Sequence, residues 1–112
     1  MRDFLEEAKK IVSIPSVSAD GNEELANWLI ERMKMGGLKT QMQPVTHSLD
    51  HVSKRQFNVI GILGDPLVNA KIKRGLLLNT HIDTVGPGLL ANWTETEGNP
   101  FRAMIKGNKF FG

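Results

Sequence analysis

The sequence predicts an α/β fold, two helices followed by a mixed sheet, and three observations lead there. Two stretches near the N-terminus carry apolar residues at helical spacing, and the segments from Leu38 onward alternate with period two. The third observation is Gly75-Leu76-Leu77-Leu78-Asn79-Thr80, whose apolar residues are consecutive. A strand of that kind is apolar on both faces and belongs in the middle of a sheet covered on each side.

Taken in order, Phe4, Leu5, Ala8, Ile11 and Val12 form one stripe of an amphipathic helix that Pro15 should end. Asp20 then offers an N-cap with Glu23 three positions later, followed by Leu25, Trp28, Leu29 and Met33 at helical spacing and by Gly36-Gly37 as the stop. Both stripes are read as core, Trp28 and Met33 included, rather than as ligand contacts. Leu38, Thr40 and Met42 share one face of a short strand that Pro44 is expected to close. Phe57 to Leu63 forms the next strand and Gly64-Asp65-Pro66 its turn, before a polar stretch through Arg74 and the apolar strand at 75–80. Gly86-Pro87-Gly88 and Gly98-Asn99-Pro100 bracket a long polar loop carrying Trp93. Beyond it Phe101, Ala103 and Ile105 alternate, and Gly107-Asn108 with Lys109-Phe110-Phe111 makes a hairpin.

A chain of 112 residues with 40% hydrophobic residues fits one small domain, here 1–112, with a core that needs no disulfide. The absence of Cys excludes a disulfide-stapled secreted scaffold. The pI near 9.1 rests on 14 basic against 12 acidic residues scattered along the chain, so no nucleic-acid footprint is expected. Apolar runs are too short for a membrane span and the N-terminus lacks signal-peptide character, which leads to the expectation of a cytoplasmic protein.

Chemistry concentrates in Asn79-Thr80-His81-Ile82-Asp83-Thr84-Val85, directly after the apolar strand, where α/β sheets gather functional groups. In extended chain His81 and Asp83 share a face, about 7 Å apart along the backbone. An imidazole that ligates a metal through one nitrogen needs its other N–H held by an acceptor, and Asp83 stands where such an acceptor should be. The spacing alone equally suits a strand-end histidine paired with a nearby carboxylate.

A longer pattern narrows this. Leu76-Leu77-Leu78-Asn79-Thr80-His81-Ile82-Asp83-Thr84-Val85-Gly86-Pro87-Gly88, then Trp93, Asn99-Pro100-Phe101 and Phe110-Phe111-Gly112 closely resemble the dinuclear zinc amidohydrolases. That family includes acetylornithine deacetylase, succinyl-diaminopimelate desuccinylase, carboxypeptidase G and the aminoacylases. Ile14-Pro15-Ser16-Val17-Ser18 and the acidic start of the second helix agree with it, while Gly86 departs where relatives often carry a second proline. The resemblance implies a three-layer α/β/α zinc-peptidase-like catalytic domain of which residues 1–112 are the N-terminal part. It further implies that His81 is a zinc ligand and that Asp83 is the catalytic-site residue orienting its ring. The complete enzyme would hold two zinc ions, act on an N-acyl amino acid or peptide in amino-acid metabolism, and could form a homodimer. The family's bridging aspartate, general-base glutamate and remaining ligands follow the part of the pattern present here, so the 112 residues alone are expected to be inactive. Its substrate-binding residues are not readable from this stretch.

Other readings compete. His47 and His51 lie four apart, a helical metal-gripping spacing, but Ser48 stands where His-Glu-x-x-His carries its glutamate, and Pro44 with Lys54-Arg55 suggests a surface segment. Trp93 could line a pocket, although anchoring its loop by burial is the simpler role. The turns contain no phosphate-binding Gly-x-x-x-x-Gly-Lys-Ser/Thr. The alternative function class is a noncatalytic scaffold or truncated fragment that self-associates through an exposed sheet edge.

Overall fold

The computed structural model describes residues 3–45, 55–64 and 75–112. Helix α1 (Phe4–Val12) opens on Asp3, whose side chain accepts from the Leu5 N–H at 2.9 Å and so satisfies one of the free donors of the first turn. Its ends carry charges of the sign the helix dipole favours, Glu6 and Glu7 first and Lys9 and Lys10 last. No residue of α1 is fully buried, and Phe4 is 79% exposed, so the predicted stripe forms but only part of it meets a neighbour.

Helix α2 (Glu23–Met35) begins two residues later than a cap at Asp20 would start it. Asn22, not Asp20, is the N-cap residue, and its side chain does not cap the helix. It is committed elsewhere: Nδ2 donates to the Phe57 carbonyl at 3.0 Å and Oδ1 accepts from the Phe57 N–H at 2.8 Å. An amide matched to a strand's own donor and acceptor outcompetes a cap whose work solvent can share. Asp20 sits in the preceding turn, its N–H donating to the Val17 carbonyl. At the other end Gly36 caps the helix and Gly37 takes the left-handed conformation.

Leu25, Ala26 and Ile30 are buried on α2, and with Ile14 they are the buried apolar side chains of the described residues. Trp28 and Met33, both read as core, are half-buried. The Trp28 ring lies 5.7 Å beneath the Arg32 guanidinium, which also forms a two-pronged ion pair with Glu7 and thereby ties α2 to α1.

Strands β1 (Lys39–Val45) and β2 (Gln56–Ile62) pair antiparallel, Lys39 opposite Ile62 and Val45 opposite Gln56, and α2 packs on them. The close approach is at Gly61, where a Cβ would stand 2.8 Å from both Leu38 Cδ2 and Met33 Sδ. Pro44 does not close β1; it lies within it, opposite Phe57. In a two-stranded sheet each strand has an open edge, where a residue without an N–H removes no ladder bond. Two short 3-10 turns, Leu90–Asn92 and Thr94–Thr96, shape the loop before the predicted hairpin of β3 (Met104–Lys106) and β4 (Lys109–Phe111). Gly107 supplies the positive φ its two-residue turn needs. The described architecture is thus two helices with two separate antiparallel ribbons, a mixed α and β fold without a single mixed sheet.

The largest departure concerns residues 75–80. They form no helix and join no strand ladder among the described residues, and Leu76, Leu77 and Leu78 are 86%, 86% and 83% exposed. Consecutive apolar residues require neighbours on both faces, and the described residues place none there. Only at Thr84 does this stretch acquire strand pairing, through a parallel bridge to Val17. No described helix is long and apolar enough to cross a membrane.

The connector between α1 and α2 is held tightly at Gly21, whose φ is +93° and whose added Cβ would meet the Arg55 carbonyl oxygen at 2.8 Å. Gly21→Ala should therefore lower stability by about 1–3 kcal/mol, from left-handed backbone strain together with a contact to main chain that cannot swing away. Urea denaturation of both proteins measures it, and an unchanged midpoint would contradict the packing described.

Candidate functional site

The site is built where residues 81–84 run beside the connector. The Thr84 N–H donates to the Ser16 carbonyl at 3.0 Å, and the Ser18 N–H donates to the Thr84 carbonyl at 2.9 Å, so the peptides on both sides of Thr84 are held by main-chain bonds. Ser16 is buried, and the Ser18 carbonyl accepts from Gln56 Nε2 at 2.7 Å. Gln56 itself is buried at the start of β2, so the connector is clamped between β2 and the His-x-Asp segment.

The structure brings His81 and Asp83 together as the spacing predicts. Nδ1 of His81 lies 2.7 Å from the Asp83 main-chain oxygen and 3.5 Å from its carboxylate Oδ1. The nearer acceptor is thus the carbonyl, with the carboxylate beside it, rather than the carboxylate alone. A carbonyl oxygen can only accept, so this contact requires the proton on Nδ1 and leaves the lone pair of the neutral ring at Nε2. The His81 side chain is 83% exposed, and Nε2 is therefore the ring nitrogen available to a ligand.

Asp83 has a partner that sequence reasoning missed. The Ser18 hydroxyl donates to Asp83 Oδ2 at 2.6 Å, the short distance expected for a charge-assisted O–H···O contact, and lies 3.1 Å from the Thr84 carbonyl. This bond holds the Asp83 carboxyl below the usual aspartate range, against a partial desolvation that raises it; the main-chain N–H of Asp83 and the neighbouring His81 also lower it. The available signal was the alternation Ser16-Val17-Ser18 after Pro15, which places both serines on one face of an extended segment, but no local rule pairs that face with a residue 65 positions away.

Two grooves flank the segment, and His81 and Asp83 border both. One, about 490 Å³, is predominantly apolar and runs between the helices and the Trp93 loop, past Ile14, Leu25, Ile82 and Phe101. The other, about 670 Å³, lies over β2 between Phe57, Val59 and Leu77. Trp93 is half-buried and lines the first groove, and what ties it to its loop is a hydrogen bond from the indole N–H to the Pro87 carbonyl at 2.9 Å rather than the full burial expected of it.

No group of three or more His, Cys, Asp or Glu side chains suited to a metal occurs among the described residues. His81 meets the needs of one coordination position, with one ring nitrogen engaged and the other open, but one donor does not make a zinc site, which takes three or four. His47 and His51 lie outside the described residues. The chain matches no family model, no curated protein and no solved structure.

The depressed Asp83 pKa has a defined consequence. Its contact with Ser18 contributes to stability above the unfolded-state pKa, and that contribution is lost as pH falls through the lower folded-state value. Titration of the Asp83 carboxyl carbon by NMR should give a midpoint below that of an exposed aspartate, moving upward in Ser18→Ala. An unshifted midpoint in both proteins would contradict the bond.

Proposed function

We propose that this chain is the N-terminal portion of a cytoplasmic zinc-dependent amidohydrolase, in a three-layer α/β/α catalytic domain, that deacylates N-acyl amino acids in the manner of acetylornithine deacetylase. In this reading His81 is a metal ligand and Asp83 orients it. The observation that carries it is the His81 contact: Nδ1 is engaged by Asp83 and Nε2 is open, the arrangement a metal-bound imidazole requires. The ordered motif from Leu76 to Gly112 supplies the chemical class. Zinc in such enzymes activates water and polarises the amide carbonyl. The described residues supply one donor and no general base placed against a substrate, so no hydrolytic step is assigned to them. Their contribution is to hold a ring nitrogen in one orientation at the meeting of two grooves.

The alternative, a noncatalytic scaffold that self-associates, draws on the exposure of Leu76, Leu77 and Leu78 along a segment without a strand partner among the described residues.

The two readings separate experimentally. With added zinc the 112-residue chain should turn over no N-acyl amino acid, should bind zinc through His81, and should lose that binding in His81→Ala while a His47→Ala/His51→Ala double variant retains it. Turnover by the isolated chain, or loss only in the double variant, would overturn the assignment. Light scattering addresses the alternative: growth in mass with concentration, abolished by Leu77→Lys, supports edge pairing, and a clean monomer rejects it.

A further inference from the structure

We infer that Ser18 is the positioning residue of the His81–Asp83 pair, its hydroxyl holding one carboxylate oxygen of Asp83 so that the other oxygen faces the imidazole beside the Asp83 carbonyl. The carboxylate is divided between two partners: Oδ2 takes the Ser18 proton at 2.6 Å and Oδ1 stands 3.5 Å from His81 Nδ1. Both acceptors presented to Nδ1 belong to Asp83, and Ser18 holds its side chain directly and the residue after it through the main chain. Its hydroxyl fixes the Asp83 side chain and its N–H donates to the Thr84 carbonyl, while the peptide carrying the Asp83 carbonyl is held by the Thr84 N–H donating to Ser16.

Ser18 is itself well placed to impose an orientation. Its carbonyl is held by the buried Gln56 and its N–H by Thr84, so its backbone does not follow the Asp83 side chain. Asp83, by contrast, is on a segment whose upstream residues have no ladder bonds among the described residues, and its carboxylate is 45% exposed. Left alone, an exposed carboxylate samples several rotamers and hydrates; tied at Oδ2, it keeps Oδ1 toward the ring. The carboxylate charge beside Nδ1 then reinforces the tautomer that the Asp83 carbonyl contact requires, with the proton on Nδ1 and the lone pair on Nε2. Alanine at position 18 removes this restraint, whereas threonine retains the hydroxyl. The consequence for metal binding rests on the proposed reading of His81 as a ligand, while the positioning itself does not.

The test uses the full chain, 15N-labelled, in wild type, Ser18→Ala and Ser18→Thr. Long-range 1H–15N spectra are recorded at about pH 8.5, above the range in which imidazoles ordinarily carry charge. The expected result is a predominantly Nδ1–H tautomer for His81 in wild type and Ser18→Thr, and a mixture with Nε2–H in Ser18→Ala, with backbone amide signals distant from the site unchanged. A wild-type tautomer population in a folded Ser18→Ala overturns the inference. If Ser18→Ala does not fold, the near-isosteric Ser18→Cys, with its weak donor, takes its place under the same criterion. Zinc chloride is then titrated into each protein while the His81 nitrogens are followed. An affinity about tenfold or more weaker in Ser18→Ala than in Ser18→Thr is the expected effect of removing a partner behind a metal ligand. Equal zinc affinities in those two variants overturn the metal-binding consequence. Zinc that leaves the His81 nitrogens unmoved in every variant overturns the proposed function, and the tautomer comparison still decides the role of Ser18.

Discussion

Residues 14–22, the connector between the two helices, carry the interactions on which the remaining described structure depends. Ile14 is buried, Ser16 and Ser18 bracket Thr84 with main-chain bonds, Gly21 lies against Arg55, and Asn22 mimics a neighbouring strand at Phe57. In nine residues the chain touches the helices, the first ribbon and the His-x-Asp segment. With few buried apolar side chains, these polar ties matter more than they would in a larger core. An intramolecular hydrogen bond contributes only about 0.5–1.5 kcal/mol, but stranding its buried partner costs about 1–3 kcal/mol. Every fully buried side-chain polar atom among the described residues has a partner.

That arrangement explains how an exposed histidine is given a preferred orientation. The 75–83 segment has no ladder of its own among the described residues, so the order at His81 is borrowed from the connector through Ser18, Thr84 and Asp83. Gln56 transfers the rigidity of β2 to Ser18, and Ser18 transfers it to the carboxylate. Function placed on such a segment is thereby supported by groups that are distant in sequence and close in space. The flanking grooves meet at the same residues, so His81 can be reached from either.

Much of this was legible in the order of residues, and the failures have identifiable physical causes. The spans of α1 and α2, the pairing partners' strand character and the Gly107-Asn108 hairpin follow from local periodicity and turn chemistry. Asp20 has the appearance of a cap, yet Asn22 takes that position because its amide is matched to Phe57, a partner no local pattern reveals. Pro44 is a strand terminator only where its missing N–H is needed, and on an open edge it is not. Leu76, Leu77 and Leu78 state a requirement for burial without stating what would meet it.

The sequence by itself determined the helices, the strands of the two ribbons and the proximity of His81 to Asp83, because each depends on spacing along a single stretch of chain. Tertiary structure alone decided which acceptor holds the imidazole, which residue steadies the carboxylate and that the apolar segment finds no cover among the described residues. The bond that steadies the carboxylate spans 65 residues, and a hydrogen bond's angle and distance are set by the packing of the elements that carry its two ends. Ser18 is an ordinary serine until the connector bends it against Thr84; only then does its hydroxyl become the support behind His81.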